Sequence, residues 1–349
     1  MMPPTSANMF DPTQLIGAAL SQSPVSFVLA LVLAGGIGLL AGDRLRGVGR
    51  LPAAESRSIR ARYVSEQRAV GVVAVMVMAL FFADYVLRGY ILTGADRLHW
   101  WRFATPIASA AIGIGVVVAF IVTRGTTPAE AAVVSAERRS WRSYSSRFAL
   151  IGLGVIGLGL TATTVLAGIA SSPNGRGQYT WLVIPIPNEG AIDPIRLPFY
   201  GWTYGIPVLI SLGALLAVAW FALDRNAARP YLRAETVVAE RSARRETARH
   251  VTRVTAAAML LTLAGAWRFV AKAGSGSQLI VTGQNGGNPY DATWRYAEFA
   301  IAAGWGASLL EIVGFALLLL VAGAGLRRRR VIRDLHEAAM PPATVEAAR

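Results

Sequence analysis

Residues 72–80 read Val-Val-Ala-Val-Met-Val-Met-Ala-Leu, and this stretch decides the fold because it is apolar on every side. It belongs to a longer apolar run near residues 69–87, close to the roughly 20 residues that cross a hydrocarbon core of about 30 Å. An outer-membrane barrel is excluded, since its shorter strands would alternate apolar with polar residues. Where no water is present, such a run satisfies its own backbone groups by forming a helix. The stretch therefore predicts a membrane-spanning α-helix.

Six further runs of the same character predict an all-α integral membrane protein. They lie near residues 25–40, 103–122, 148–170, 204–223, 254–271 and 298–326. Of the 349 residues, 54% are hydrophobic and 15% are charged, against about 45–50% and 25% in soluble domains. We expect a bundle of seven transmembrane helices over residues 25–326, preceded by a tail at 1–24 and followed by a basic tail at 327–349.

The distribution of arginine predicts the orientation of the bundle. Segments 43–68, 124–147, 224–253 and 327–349 hold seven, five, eight and six arginines. Basic residues gather in short loops on the cytoplasmic side of a membrane, so we expect these four segments inside and the N-terminus outside. The residues before the first run contain no Lys or Arg, whereas a cleaved signal peptide begins with a positive region. The first run is therefore predicted to remain as a helix.

The net charge of +14 would suggest a nucleic-acid partner in a soluble chain. Here the arginines beside helix ends are insertion signals, and they also attract anionic lipid headgroups by about 1 kcal/mol per residue near the surface. We therefore expect the lipid bilayer and its anionic headgroups as partners, together with protein partners in a membrane complex and no nucleic acid. The expected location is the plasma (inner) membrane of a bacterium.

The segments between the runs differ in character. The outer segment 171–201 contains five prolines, which exclude a long helix, and residues 181–186 are predicted to form a short extended piece at the interface. On the inner side, residues 128–139 and 231–249 predict helical extensions or amphipathic surface helices. The tail after Arg333 is predicted to be disordered.

An internal similarity predicts repeated hairpins. At a constant offset of 101, four residues correspond to four others: Trp101, Pro106, Phe120 and Arg124 to Trp202, Pro207, Phe221 and Arg225. The segments that follow share the triplet Ala-Glu-Arg. We infer three hairpins of parallel sense plus a seventh helix, with Pro106 and Pro207 at matching bends. Parallel repeats weaken the hypothesis of an alternating-access transporter, which often uses inverted repeats.

Three ionisable residues lie inside predicted membrane helices: Asp84, Arg268 and Glu311. They lie 16, 15 and 16 residues from the basic inner ends of their helices, which corresponds to depths of about 24, 22 and 24 Å. A charge in hydrocarbon is costly, so each of these residues is a functional hypothesis. We predict one polar layer in the outer half of the bilayer, in which Arg268 pairs with Glu311 and Asp84 can join either.

The same residues also allow a purely structural interpretation. Asp84 with Arg88, and Arg268 with Lys272, are neighbours four residues apart that could extend to the outer surface. Glu311 lies near the middle of its apolar run, so it is either fixed in an ion pair or it titrates or binds a substrate. Glycines in four of the helices are predicted to allow close helix packing.

Most catalytic classes receive no support from the residues present. The absence of cysteine removes disulfides, thiolate metal sites and cysteine nucleophiles. His99, His250 and His336 lie outside the apolar runs, so no haem or metal site is expected, and no nucleotide or hydrolase motif is present. We predict a protein that is not an enzyme and has no cofactor, acting as a scaffold or accessory subunit of a membrane complex. The alternative is a transporter or channel component that uses the predicted polar layer.

Overall fold

The computed structural model describes residues 22–45, 53–88, 99–124, 140–186, 193–276, 278–279 and 288–339. Within these residues, seven helices are long and apolar enough to cross a membrane. They are α1 (Ser23–Leu45), α2 (Ala53–Val86), α3 (Thr105–Arg124), α4 (Arg147–Ala170), α5 (Trp202–Ala228), α6 (Val237–Gly274) and α7 (Ala297–Ala339). Each helix covers one of the predicted apolar runs to within two residues, in agreement with the prediction of a helical, multi-pass membrane protein.

Two small β-sheets lie at one end of the bundle. The prediction was an all-α protein, and the fold differs from it in these short strands. Strands β1 (Ser172–Pro173), β2 (Tyr179–Ile184) and β3 (Ile195–Pro198) form an antiparallel sheet in that order. A second pair joins β4 (Gln278–Leu279) to β5 (Tyr290–Asp291). We call this the sheet end, where α4 ends and α5 begins. The opposite end, where α5 ends and α6 begins, is called the arginine end.

The sheet forms where the prolines prevent a helix. Along β2, Thr180, Leu182 and Ile184 are buried and alternate with more exposed neighbours, as expected when successive side chains point to opposite faces. Leu182 lies opposite Leu197 of β3. The predicted extended piece at residues 181–186 is therefore confirmed for its strand portion.

Helix α6 forms the centre of the bundle. It packs mainly against α7 and also contacts α2, α3, α4 and α5, while α1 packs on α7. Within its candidate span 67% of α6 is buried, against 17% of the span in α4. Helix α4 therefore lies at the periphery, and its exposed Leu, Ile and Val side chains suit contact with lipid.

The structure does not support the predicted hairpin repeat. Helices α5 and α6 pack against each other, whereas α3 and α4 make hardly any contact among the described residues, and α3 packs on α5 instead. Pro106 is the second residue of α3, where its missing N–H has no partner to lose. Pro207 instead lies inside α5. The two prolines therefore occupy different positions in their helices.

Two further segments also refine the predictions. Helix α6 begins at Val237, so the predicted helical extension is confirmed over most of residues 231–249. Helix α7 continues to Ala339, beyond Arg333, where disorder was predicted. The helix predicted at residues 128–139 and the end of the tail, 340–349, lie outside the described residues.

Candidate functional site

A cavity of about 710 Å³ opens at the sheet end, between α1, α2, α6, α7 and the start of α3. All three residues of the predicted polar layer, Asp84, Arg268 and Glu311, line its wall. The depth counts place them at one level because each helix rises by about 1.5 Å per residue. The cavity is the candidate functional site because it is where intramembrane charge, open volume and several helices meet.

Arg268 and Glu311 form the predicted ion pair across α6 and α7. Arg268 Nη2 donates to Glu311 Oε2 at 2.7 Å, and Nη1 reaches Oε1 at 3.4 Å. The Glu311 side chain is 3% exposed and the Arg268 side chain 27%. Arg268 Nη1 also donates to Ser23 Oγ at 2.8 Å, which ties α1 to the pair. This pair therefore joins three helices at the depth of the cavity.

Asp84 is held within its own helix rather than by the Arg268–Glu311 pair. Its carboxylate forms an ion pair with Arg88, four residues further on, in the helical turn that follows α2. Arg88 Nε also donates to the Asp84 carbonyl oxygen at 3.2 Å. This is the i,i+4 arrangement of the structural interpretation. The predicted polar layer thus consists of two separate ion pairs that face one cavity.

Two further cations line the cavity, Arg102 before α3 and Lys272 near the end of α6. In the part of the chain that the structure describes, no acidic side chain lies within ion-pair distance of either. Arg102 Nε is buried without a hydrogen-bond partner there, and its guanidinium lies 4.8 Å from the ring centre of Phe269. Burial, together with nearby Arg88, lowers the pKa of Arg102 to about 10. At neutral pH Arg102 is charged, and Asp84 stabilises that charge from a distance, but no acidic side chain among the described residues forms an ion pair with it.

Arg102 was not among the predicted site residues, because it lies just before the apolar run of α3 and not inside it. The sequence feature that could have drawn attention to Arg102 is the dipeptide Trp-Arg, which occurs at residues 101–102 and again at residues 294–295. Only the first of these arginines faces the cavity, because Arg295 lies over the ring of Tyr296 at 4.6 Å.

An aromatic cluster closes the deep side of the cavity. Phe27, Phe81, Phe82 and Phe315 contact one another with ring centres 5.1–5.6 Å apart. Phe81 lines the cavity itself, and Phe315, one turn beyond Glu311, is completely buried. Edge-to-face rings at these distances pack densely. The cavity therefore reaches Glu311 from the sheet end and stops at this phenylalanine cluster.

A second charged cluster lies at the arginine end, and sequence analysis missed it. Arg229 donates to both carboxylate oxygens of Glu66, at 2.7 and 3.0 Å. Arg244 pairs with Glu240 at 3.3 Å. Tyr63 links the two pairs, because its hydroxyl accepts from Arg244 Nε at 3.3 Å and its ring centre lies 5.5 Å from the Arg229 guanidinium. All five side chains are buried.

This arginine-end cluster corrects the prediction for segment 224–253. We expected its arginines to face the cytoplasm and lipid headgroups, but Arg229 and Arg244 are inside the protein because Glu66 and Glu240 neutralise them. The spacing of Glu240 and Arg244, four residues apart on a helix, was the available signal. Arg225, Arg245 and Arg249 remain exposed, as predicted.

Most polar groups of the arginine-end cluster have hydrogen-bond partners. Glu240 Oε1 accepts from Thr236 Oγ1 at 2.9 Å and from the Leu232 backbone N–H at 3.0 Å. Tyr144 and Tyr231 share a hydrogen bond of 2.6 Å, and burial, followed by this hydrogen bond, raises the pKa of Tyr144. These contacts fix the turn between α5 and α6, so the role of the cluster is structural.

The remaining candidate chemistry is sparse. Among the described residues, no group of three or more His, Asp or Glu side chains could hold a metal ion. His99 contacts the ring of Trp101, and His250 is buried in α6. Comparison of the chain with protein-family models, with curated proteins and with solved structures gives no match.

Proposed function

We propose that this chain is a multi-pass membrane protein that binds an anionic ligand in the sheet-end cavity, as the binding step of a transporter or channel component. The charge of the cavity wall carries the proposal: four cations and two carboxylates line it. Both carboxylates are engaged in ion pairs. Arg102 is partly buried, and such a cation is costly unless it is paired, so an entering anion would be stabilised by Arg102 and, at the exposed edge of the cavity, by Lys272.

The size and position of the cavity support binding of a molecule larger than a monatomic ion. Its volume of about 710 Å³ falls within the roughly 300–1,000 Å³ of typical small-molecule sites. Helix α3 begins at the cavity wall with Thr105 and Pro106. The positive end of its dipole adds to the potential there.

We infer that the sheet end, with the N-terminus, faces the outside of a bacterial plasma membrane. The four arginine-rich segments support this orientation. In this orientation the cavity takes its ligand from outside, and the phenylalanine cluster separates it from the cytoplasm. Transport then requires that the cluster rearrange, since Phe81, which lines the cavity, packs against Phe82 and Phe315.

The proposal is tested by ligand-induced stabilisation of the purified full chain in zwitterionic detergent. We expect phosphate, sulfate or dicarboxylates to raise the midpoint of thermal unfolding, while organic cations do not. A ligand at 100 times its Kd stabilises the folded state by about 2.7 kcal/mol. Arg102→Gln and Lys272→Gln should each weaken this effect. A flux of the stabilising anion into proteoliposomes would then establish transport.

Arg176→Gln is the matched control, because Arg176 is an exposed arginine at the sheet end that does not line the cavity. It should leave the anion effect unchanged. The proposal is wrong if no anion stabilises the protein, or if Arg176→Gln and Arg102→Gln weaken binding equally.

A scaffold or accessory subunit is the second candidate, and close glycine packing favours it. An added Cβ at Gly306 would lie 2.6 Å from the ring of Trp267, and one at Gly314 would lie 3.1 Å from Leu261. Such contacts hold α6 and α7 at a fixed distance, as suits a rigid platform. Purification in mild detergent tests it: a stoichiometric partner together with no anion binding would support the scaffold.

A further inference from the structure

One wall of the sheet-end cavity borders the region that lipid occupies. Ile301 and Trp305 of α7 line the cavity, yet they are 51% and 53% exposed on the surface of the bundle. Both lie inside the candidate membrane span of α7. Residues three or four apart share a helix face, so Ile301, Trp305 and Ser308 form one stripe that runs from this surface toward Glu311.

Another part of the cavity lining has a different chemistry. Arg102 approaches from the start of α3 and Lys272 from the end of α6, and neither has an acidic partner among the described residues. Arg102 Nε is buried without a hydrogen-bond acceptor there. This wall therefore offers positive charge and hydrogen-bond donors to an anionic group.

Charge on one wall and an apolar, lipid-facing stripe on the other suit one kind of ligand. A free inorganic anion would use only the cationic wall and would fill a small part of about 710 Å³. A neutral hydrocarbon would leave Arg102 and Lys272 without an anion. An anionic headgroup with attached chains uses both walls.

We propose that the cavity binds an anionic amphiphile from the outer leaflet, with its phosphate or carboxylate at Arg102 and Lys272 and its chains along Ile301 and Trp305. This inference rests on the proposed anion binding and names the class of ligand. The ligand enters sideways from the bilayer, past Trp305, and its headgroup moves toward the cations. For a soluble probe that enters from water, burial of the chains adds affinity in proportion to the apolar area that is covered.

The experiment compares three soluble probes by isothermal titration calorimetry on the full chain in nanodiscs of zwitterionic lipid. The probes are dihexanoyl phosphatidic acid, glycerol 3-phosphate, which has the same phosphate without chains, and dihexanoyl phosphatidylcholine, which has the same chains with a zwitterionic head. We expect the phosphatidic acid to bind at least about tenfold more tightly than either of the other two, which corresponds to about 1.4 kcal/mol.

Variants separate the two walls of the cavity. Trp305→Ala should weaken binding of the phosphatidic acid by about tenfold and leave glycerol 3-phosphate unchanged. Trp220→Ala is its control, because Trp220 is exposed to the same degree, 54%, but does not line the cavity. Lys272→Gln, at an exposed position that tolerates substitution, should weaken both phosphates, as should Arg102→Gln if that variant folds.

The outcomes separate this inference from the proposal on which it rests. Equal affinity for glycerol 3-phosphate and phosphatidic acid, without an effect of Trp305→Ala, would overturn the amphiphile while anion binding stands. Binding of both dihexanoyl lipids with equal affinity, insensitive to Lys272→Gln, would mean that only apolar chains are recognised and would overturn both. A lack of binding by all three probes would overturn the amphiphile, and anion binding is then decided by the thermal-unfolding test with phosphate, sulfate and dicarboxylates.

Discussion

Glu311 shows how a carboxylate is retained inside a membrane helix. Its side chain is nearly inaccessible, and Arg268 from the neighbouring helix supplies two nitrogen donors within 2.7–3.4 Å. The pair is asymmetric, because Arg268 keeps more than a quarter of its side chain exposed. Arg268 can therefore be solvated by the cavity if it loses its partner, whereas Glu311 cannot.

This asymmetry leads to a prediction on single and double substitutions. Arg268→Gln strands the buried Glu311 carboxylate and should cost up to about 3–5 kcal/mol, the range for a broken buried pair. Glu311→Gln leaves Arg268 with Ser23 and the cavity, so its cost should be smaller. The double variant should recover part of the loss. The measurement is the midpoint of thermal unfolding, together with folded yield, for the four proteins in one detergent.

Arg176→Gln serves as a surface control for these variants, since an exposed arginine typically contributes within about 0.5 kcal/mol. Additive losses in the double variant would contradict direct coupling between Arg268 and Glu311. If Glu311→Gln leaves stability intact and abolishes anion flux, Glu311 is a transport carboxylate and the scaffold candidate fails.

For single residues, the sequence allowed the Arg268–Glu311 ion pair to be predicted but not the Glu66–Arg229 ion pair. The pairing of Arg268 with Glu311 was predictable, because each residue interrupts an apolar run and the rise per residue of a helix gives its depth. The pairing of Glu66 with Arg229 was not, because 163 positions separate them and both lie in segments rich in charge. A buried charge is recognisable in sequence only against an apolar background.

At the scale of elements, the junction between the sheet and α5 depends on Gly201. A Cβ at this position would overlap the carbonyl oxygen of Tyr179 in β2 and would lie 2.6 Å from Ser171 Cβ. The constraint is space rather than backbone conformation, since the φ of Gly201 is −102°. The chain can leave β3 and begin α5 at once only because this position has no side chain.

We therefore expect Gly201→Ala to destabilise the protein by about 1–3 kcal/mol, the usual cost of overpacking. Gly213→Ala is the matched control, because Gly213 lies inside α5 with nothing within 4 Å of an added Cβ. Alanine should stabilise that position by up to about 1 kcal/mol. Thermal unfolding of both variants in one detergent distinguishes the sites, and equal effects would show that the junction is not closely packed.

The sequence predicted the elements well where one physical constraint dominates. The apolar runs gave seven helices, and five prolines gave an extended segment in 171–201. The hairpin repeat failed because similar residues at a fixed offset do not determine helix neighbours. Which helices pack together depends on side-chain fit across the bundle, as where Gly205 of α5 meets Thr164 of α4.

At the scale of the whole molecule, the two ends of the bundle use charge in different ways. At the arginine end, Glu66 and Glu240 neutralise two buried arginines and lock α2, α5 and α6 together. At the sheet end, the wall of an open cavity keeps two cations without acidic partners in the described part of the chain. The first arrangement suits a fixed framework, and the second suits a ligand.

The proposed role of the cavity depends on which side of the membrane the sheet end faces, and labelling of single cysteines decides this. The chain has no cysteine, so Arg176→Cys at the sheet end and Ser242→Cys at the arginine end, both at exposed positions, can be compared directly. Because arginine-rich segments are retained in the cytoplasm, an impermeant maleimide added to intact cells should label Arg176→Cys, whereas Ser242→Cys should react only after permeabilisation. The cysteine-free parent chain measures background labelling. If Ser242→Cys is labelled from outside, the bundle is inverted, the cavity faces the cytoplasm, and an amphiphile would have to come from the inner leaflet.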